Sequence, residues 1–409
     1  MPVSAMAWNA MPGSATPTAG RPARAPALLC ALLLLGACGS GGAPAPAPGA
    51  AATTTSAAPT SAPPGPDDRV DDVLAGLDRR AQVAQLFVAG VPLDDLAAGD
   101  ALAQQGVGGL FMAGRSQAPA GELAATAARW QALSPGPGLW VAVDQEGGAV
   151  QSLQGPGFDR LPPATAQGAL PQAELAALAE GMGASLSAAG INLDLAPVAD
   201  VVPAGTAAGN EPIGAYDRQY GSTPHAVAAA VATIVDGLSR AGVTATLKHF
   251  PGLGAVRQNT DTSTGVTDSV TGADDPQVTL FGELARSPAD PFVMVSSATY
   301  PRIDPAAQAA FSPVVIGDLL RERLRFDGVV ISDDLGNARA VLDLPPGERA
   351  VRFLAAGGTL VLTVDPALVP EMIDAVLARE STDPQFAATV DDAVRTALLA
   401  KDGAGLLQG

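Results

Sequence analysis

Two acids, Asp144 and Glu146, stand close together in VAVDQEGGAVQSL, and the glycines behind them permit a tight turn. Paired carboxylates beside a pocket suit glycoside hydrolysis. They suit a divalent cation equally, and spacing alone does not decide between the two. Further on, GVVISDDLGN ends an apolar run in Ser332, Asp333 and Asp334. A carboxylate placed there can serve as nucleophile, metal ligand or helix N-cap. LKHFPGLGAVRQNTDTS brings Lys248, one of two lysines, next to His249, one of two histidines. A buried lysine needs an acidic partner, so Lys248 reads either as a ligand-binding group or as the mate of one of these acids. His249 reads as a site residue or as a satisfied core histidine. His225 falls in the first turn of a helix and reads as surface.

These residues need elements that aim them at one place. Eight apolar, β-rich runs are legible: 86–91, 107–114, 139–145, 191–201, 243–250, 292–298, 328–334 and 360–364. Most are near-continuous rather than alternating, as parallel strands covered on both faces should be. Helical stretches lie between several of them. TPHAVAAAVATIVDGLSRAG has Thr223 as N-cap, Pro224 at the first helical position and Gly242 past the end. Its Val227, Val231, Ile234 and Leu238 share a face. Ser312 and Pro313 open a second helix in the same way. The alternation predicts an α/β fold, a (β/α)8 barrel. A doubly wound open sheet is the rival, weakened because no Gly-rich phosphate loop follows the first strand. In a barrel, Asp144, Asp200, Lys248, His249 and Asp333 all fall at the C-terminal ends of strands, the mouth where active sites form.

The net charge of −18 argues against a nucleic-acid partner. The N-terminus reads as a targeting segment: Arg21 and Arg24 precede an apolar run from Ala27 to Ala37, shorter than the roughly 18–20 residues a spanning helix needs. It ends in LGAC, which resembles a bacterial lipobox with Cys38 as the lipidated residue. The expected organisation is a lipoprotein signal over 1–37, Cys38 and an Ala/Pro/Ser/Thr tether over 38–66, and one catalytic domain over 67–409. The expected location is extracytoplasmic, lipid-anchored to the outer face of the cell membrane. The second cysteine, Cys30, lies inside the signal, leaving no disulfide or cysteine metal site after processing.

The blocks VDQEGGAVQSL, GFDRLP, NLDLAPVADV, DRQYG, KHFPGLG, YPRIDP and FDGVVISDDL, in that order, resemble glycoside hydrolase family 3, closest to its single-domain β-N-acetylglucosaminidase branch. The resemblance runs from about residue 80 to about residue 365 and implies a retaining mechanism. Asp333 matches the family's nucleophile, and Asp144 matches the acid that holds sugar hydroxyls. Arg218, Lys248 and His249 match residues that bind the sugar. The implied partners are β-linked amino-sugar glycans or muropeptide fragments, handled by a monomer. No cofactor and no metal are implied.

The same resemblance exposes a gap. The branch carries an Asp-x-His pair in the loop after KHFPG, and its histidine donates the proton. Here those positions hold Asn259 and Asp261. Two arginines of the branch fall on Ala149 and Ser152, and a histidine after the sixth strand falls on Ser297. One reading makes Asp261 the general acid/base, carried on a mobile loop, with Glu146 a further acid candidate. The other makes Asp261 a turn residue and the protein a catalytically impaired glycan-binding lipoprotein. A related β-glycosidase with another sugar preference is a third outcome. A transporter's solute-binding lipoprotein shares the lipobox and tether but requires two lobes.

Overall fold

The computed structural model describes residues 65–407. The signal, Cys38 and most of the tether lie outside the described residues. Eight parallel strands form one sheet: β1 (Phe87–Pro92), β2 (Gly109–Ala113), β3 (Trp140–Val143), β4 (Leu193–Asp194), β5 (Thr244–Phe250), β6 (Phe292–Val295), β7 (Val330–Ser332) and β8 (Val361–Thr363). Their order is β7-β6-β5-β4-β3-β2-β1-β8. A parallel bridge between Ile331 and Leu360 brings the two ends of the sheet together. The eight expected strands are therefore present, in a nearly closed barrel rather than an open doubly wound sheet.

Burial on both faces explains the near-continuous apolar runs. Every residue of β3, β6, β7 and β8 is buried. Helices supply the outer layer. Pro224–Arg240 starts where Thr223 Oγ1 accepts the Ala226 N–H at 3.3 Å, and ends at Gly242 with φ +76°. Its Val227, Val231, Ile234 and Leu238 are wholly buried. Ser312 Oγ accepts the Val315 N–H at 3.0 Å and opens Val314–Arg323, which winds more widely than expected, as a π-helix.

Most of the strands are shorter than their apolar runs, and two of the shortfalls have a local cause. The run over 191–201 is strand only at Leu193–Asp194, because Pro197 has no N–H to continue the ladder. The chain still tracks β5, with the Ala199 N–H on the Lys248 carbonyl at 2.7 Å, and so delivers Asp200 to the mouth. The run over 139–145 breaks after Val143, and a small hairpin pairs Gln145–Gly147 with Val150–Gln151. Gly147 and Gly148 turn it with φ of +98° and +55°, and a Cβ on Gly147 would lie 2.5 Å from the Pro162 carbonyl oxygen. This turn folds Glu146 back beside Asp144.

Candidate active site

The first cluster converges from three elements. Lys248, at the end of β5 and 3% exposed, donates to Asp144 Oδ1 at 2.7 Å and contacts Glu146 Oε1 at 2.6 Å. Arg218 grips Glu146 through two parallel bonds of 2.8 and 2.7 Å and donates a third N–H to the Pro212 carbonyl. Burial alone would raise the Glu146 carboxyl, but Arg218 and Lys248 overcome it and hold the group down at about 2. Glu146 is thus a permanently ionised hub. That corrects the expectation of Glu146 as an acid: a carboxylate clamped by two cations has no proton to donate at neutral pH. Burial also disfavours the Lys248 ammonium, yet Asp144 and Glu146 keep it charged. Lys248 is therefore both a site residue and a buried partner of carboxylates.

Asp200, wholly buried, accepts from His249 Nδ1 at 2.7 Å, from the His249 N–H at 3.2 Å and from the Leu253 N–H at 2.7 Å. With a carboxylate as partner, Nδ1 carries a ring proton.

After β7 the two adjacent acids separate by task. Asp334 accepts the backbone N–H groups of Gly336, Val364 and Asn337 at 2.8, 2.8 and 2.9 Å, so it shapes the loop. Asp333 is half-buried, and among the described residues its Oδ1 accepts only the neighbouring Asp334 N–H, at 2.9 Å. Its remaining lone pairs are free for chemistry.

Asp261 lies on the β5 loop, in a turn closed by Asn259. Asn259 Oδ1 accepts the Asp261 N–H at 2.9 Å, and its carbonyl accepts those of Thr262 and Ser263. The Asp261 carboxyl makes no hydrogen bond among the described residues. Loss of hydration, then the charge of Asp333, pushes it up to about 6, while Arg218 and His249 pull the other way. The side chain still meets bulk water, which moderates the first cause and leaves Asp333 repulsion as the specific one. The Asp261 carboxyl therefore lies within the field of the Asp333 charge.

Ser152, on a position where an arginine was expected, is 1% exposed and joins the β3 hairpin to the β2 loop through its backbone. Ser297 Oγ is buried with no partner among the described residues. A separate cavity of about 240 Å³, lined by Thr165, Val202, Gln219 and Tyr220, includes none of the clustered carboxylates. No group of three His, Cys, Asp or Glu among the described residues is arranged to hold a metal ion. Two residues with structural tasks escaped sequence reasoning. Asn210, buried, spans two loops with four hydrogen bonds. Asp194, at the end of β4 and wholly buried, accepts the Gln145 N–H at 3.0 Å, and burial raises its carboxyl to about 8.

A parallel barrel whose mouth gathers ionised acids, cations and an acid of raised pKa can support hydrolysis by a pair of carboxyl groups, as glycoside hydrolases use it. The family model for the glycosyl hydrolase family 3 N-terminal domain matches residues 79–397. A Beta-hexosaminidase of Stenotrophomonas maltophilia (strain R551-3) is 36% identical over 298 residues, covering 68% of this chain and 83% of that one. Among solved structures, the β-N-acetylhexosaminidase of Beutenbergia cavernae DSM 12333 is 45% identical with TM-score 0.77, over 80% of this chain and 99% of that one. M. tuberculosis LpqI is 29% identical with TM-score 0.69, over 80% of this chain and 95% of that one. The chain belongs to glycosyl hydrolase family 3 and is a glycosidase.

Proposed function

We propose that this protein removes terminal β-linked N-acetylglucosamine from glycans, with cell-wall fragments as its source, by a retaining mechanism. Asp333 attacks the anomeric carbon and forms a glycosyl ester as the C1–O bond of the leaving group breaks. Asp261, carrying a proton, gives it to the departing oxygen. It then takes a proton from the water that cleaves the ester. Asp144, held by Lys248, together with Arg218 and His249, binds sugar hydroxyls through charged and directional hydrogen bonds. The observation that carries this reading is the carboxyl pair. Asp333 sits lightly bonded at the end of β7, and loss of hydration together with the Asp333 charge raises Asp261 to about 6 on the neighbouring loop. Such a value suits a group that gives and takes a proton near neutrality. The relatives named as hexosaminidases supply the sugar. Cys38 and its lipid would anchor the enzyme on the outer face of the membrane, where wall material is released.

The test compares 4-nitrophenyl β-N-acetylglucosaminide with an unactivated β-linked disaccharide of the same sugar. Asp333→Asn should abolish turnover of both. Asp261→Asn should slow the disaccharide by about 10²–10⁴-fold, the usual worth of a general acid, and slow glycosylation by the aryl substrate far less. Equal effects of Asp261→Asn on glycosylation by both substrates would reject Asp261 as the acid. Binding of the disaccharide without turnover by wild type would favour the glycan-binding reading.

A further inference from the structure

The loop that bears Asp261 is held by hydrogen bonds on three sides. Asn210 Nδ2 donates to the carbonyls of Leu253 and Val256 at 2.7 and 2.8 Å, holding the loop's first leg. Glu211 N–H donates to the Arg257 carbonyl at 3.1 Å, and Glu211 Oε2 accepts the Asn259 N–H at 3.3 Å. The tip is joined to the nucleophile's own loop: Ala340 N–H donates to the Thr260 carbonyl at 3.0 Å, and Arg339 N–H to the Asp261 carbonyl at 3.1 Å. Gln308 Nε2 bonds the Ala340 carbonyl at 2.6 Å and the Ser297 carbonyl at 3.0 Å, tying in the loop after β6.

Within that frame one side chain sets the direction of the acid. Both backbone polar groups of Asp261 are held: its carbonyl by Arg339 and its N–H by Asn259 Oδ1 at 2.9 Å. With amide and carbonyl both fixed, the Cα–Cβ bond has one direction. Only the oxygen of a side-chain amide can accept a backbone N–H, so the orientation of Asn259 is determined by this bond. Resting on the reading of Asp261 as acid/base, we propose that Asn259 is a positioning residue for the proton-transfer step. It holds Asp261 in a turn whose backbone is already joined to the Asp333 loop. Asn259 touches neither substrate nor the transferred proton.

Asn259→Ala removes the acceptor and leaves the backbone joint intact. It should cut kcat/KM on the unactivated disaccharide by about 10-fold or more, since small misplacements of a reacting group cost up to ~10²-fold. Glycosylation by the 4-nitrophenyl substrate, which needs little protonation, should stay within about twofold. Asn259→Asp keeps an acceptor oxygen. It should restore the disaccharide rate to within about threefold of wild type and move the alkaline limb of the pH profile upward, because a second negative charge beside Asp261 holds its proton. A merely structural role would lower both substrates together and leave the limb in place, and that result would overturn the proposal. If Asp261→Asn leaves the ratio of the two substrates unchanged, the acid assignment itself fails. If Asp261→Asn changes that ratio and Asn259→Ala does not, only the positioning role fails.

Discussion

At the residue scale, the site divides between groups that must stay charged and a group that must change charge. Glu146 belongs to the first kind, shared between the Arg218 fork and Lys248. Glu146→Gln leaves both cations short of charge compensation in a buried place. Removing one member of such a buried network should cost about 3–5 kcal/mol, read as a lowered Tm and denaturation midpoint. Because Glu146 orients binding groups and moves no proton, kcat/KM should fall by a similar factor on the aryl glycoside and the disaccharide. The pH profile should keep its shape. A shifted limb in this variant would return Glu146 to the list of acids. Asp261 belongs to the second kind. With its carboxyl near 6, the activity that needs its proton should decline as pH rises through that value, and Asp261→Asn should remove that limb.

At the element scale, the barrel supplies position through strand ends, and one of those ends carries a pH-dependent cost. Asp194 closes β4 with one oxygen on the Gln145 N–H and the other buried without a partner among the described residues. Its folded-state value, about 8, lies above the ordinary 3.8. The folded state then holds the proton more tightly than the unfolded one. Its contribution is fully present below pH 4 and is lost as pH rises through about 8. Asp194→Asn stays neutral throughout, so its Tm should gain on wild type progressively between pH 5 and pH 8, reaching a gap of at least about 4 °C. Parallel Tm profiles would show that the carboxyl ionises freely in the folded state.

Much of this scale was legible in the chain. Doubly covered parallel strands leave long apolar runs, and Thr223, Ser312 and Gly242 mark helix ends by local chemistry. The strand-end rule then placed Asp144, Asp200, Lys248, His249 and Asp333 at one mouth. Less legible was anything decided by contact across the barrel. Glu146 read as a free acid because its two cations come from β5 and from the segment after β4. The pinned acid loop was hidden because Gly, Thr and Ser suggest mobility, whereas its anchors are carbonyls and amides that any residue type carries. Asn210 left no signal beyond being a loop asparagine.

At the scale of the whole molecule, a chain of net charge −18 presents a repulsive field to acidic ligands. The cations of the first cluster do not relieve this, since Lys248 and Arg218 are engaged by Asp144 and Glu146. A neutral disaccharide should therefore be hydrolysed at nearly the same kcat/KM in 0.05 M and 0.5 M salt, within about twofold, as charges are screened beyond ~10 Å at 0.1 M. A wall fragment bearing a carboxylated peptide should react faster as salt rises. The opposite trend, inhibition by salt, would mean that a cationic surface recruits the fragment.

The central claim is a covalent bond between sugar and Asp333, with Asp261 serving both halves of the reaction. The most direct measurement uses Asp261→Asn with the 4-nitrophenyl glycoside, followed by mass spectrometry of the intact protein and of its peptides. The aryl group leaves without an acid, but water lacks its base, so a glycosyl-enzyme should accumulate and its sugar should map to the peptide containing Asp333. Azide should release it as a β-glycosyl azide. A protein that turns over the aryl glycoside with no sugar retained at any time, or that carries it on a residue other than Asp333, would contradict the account.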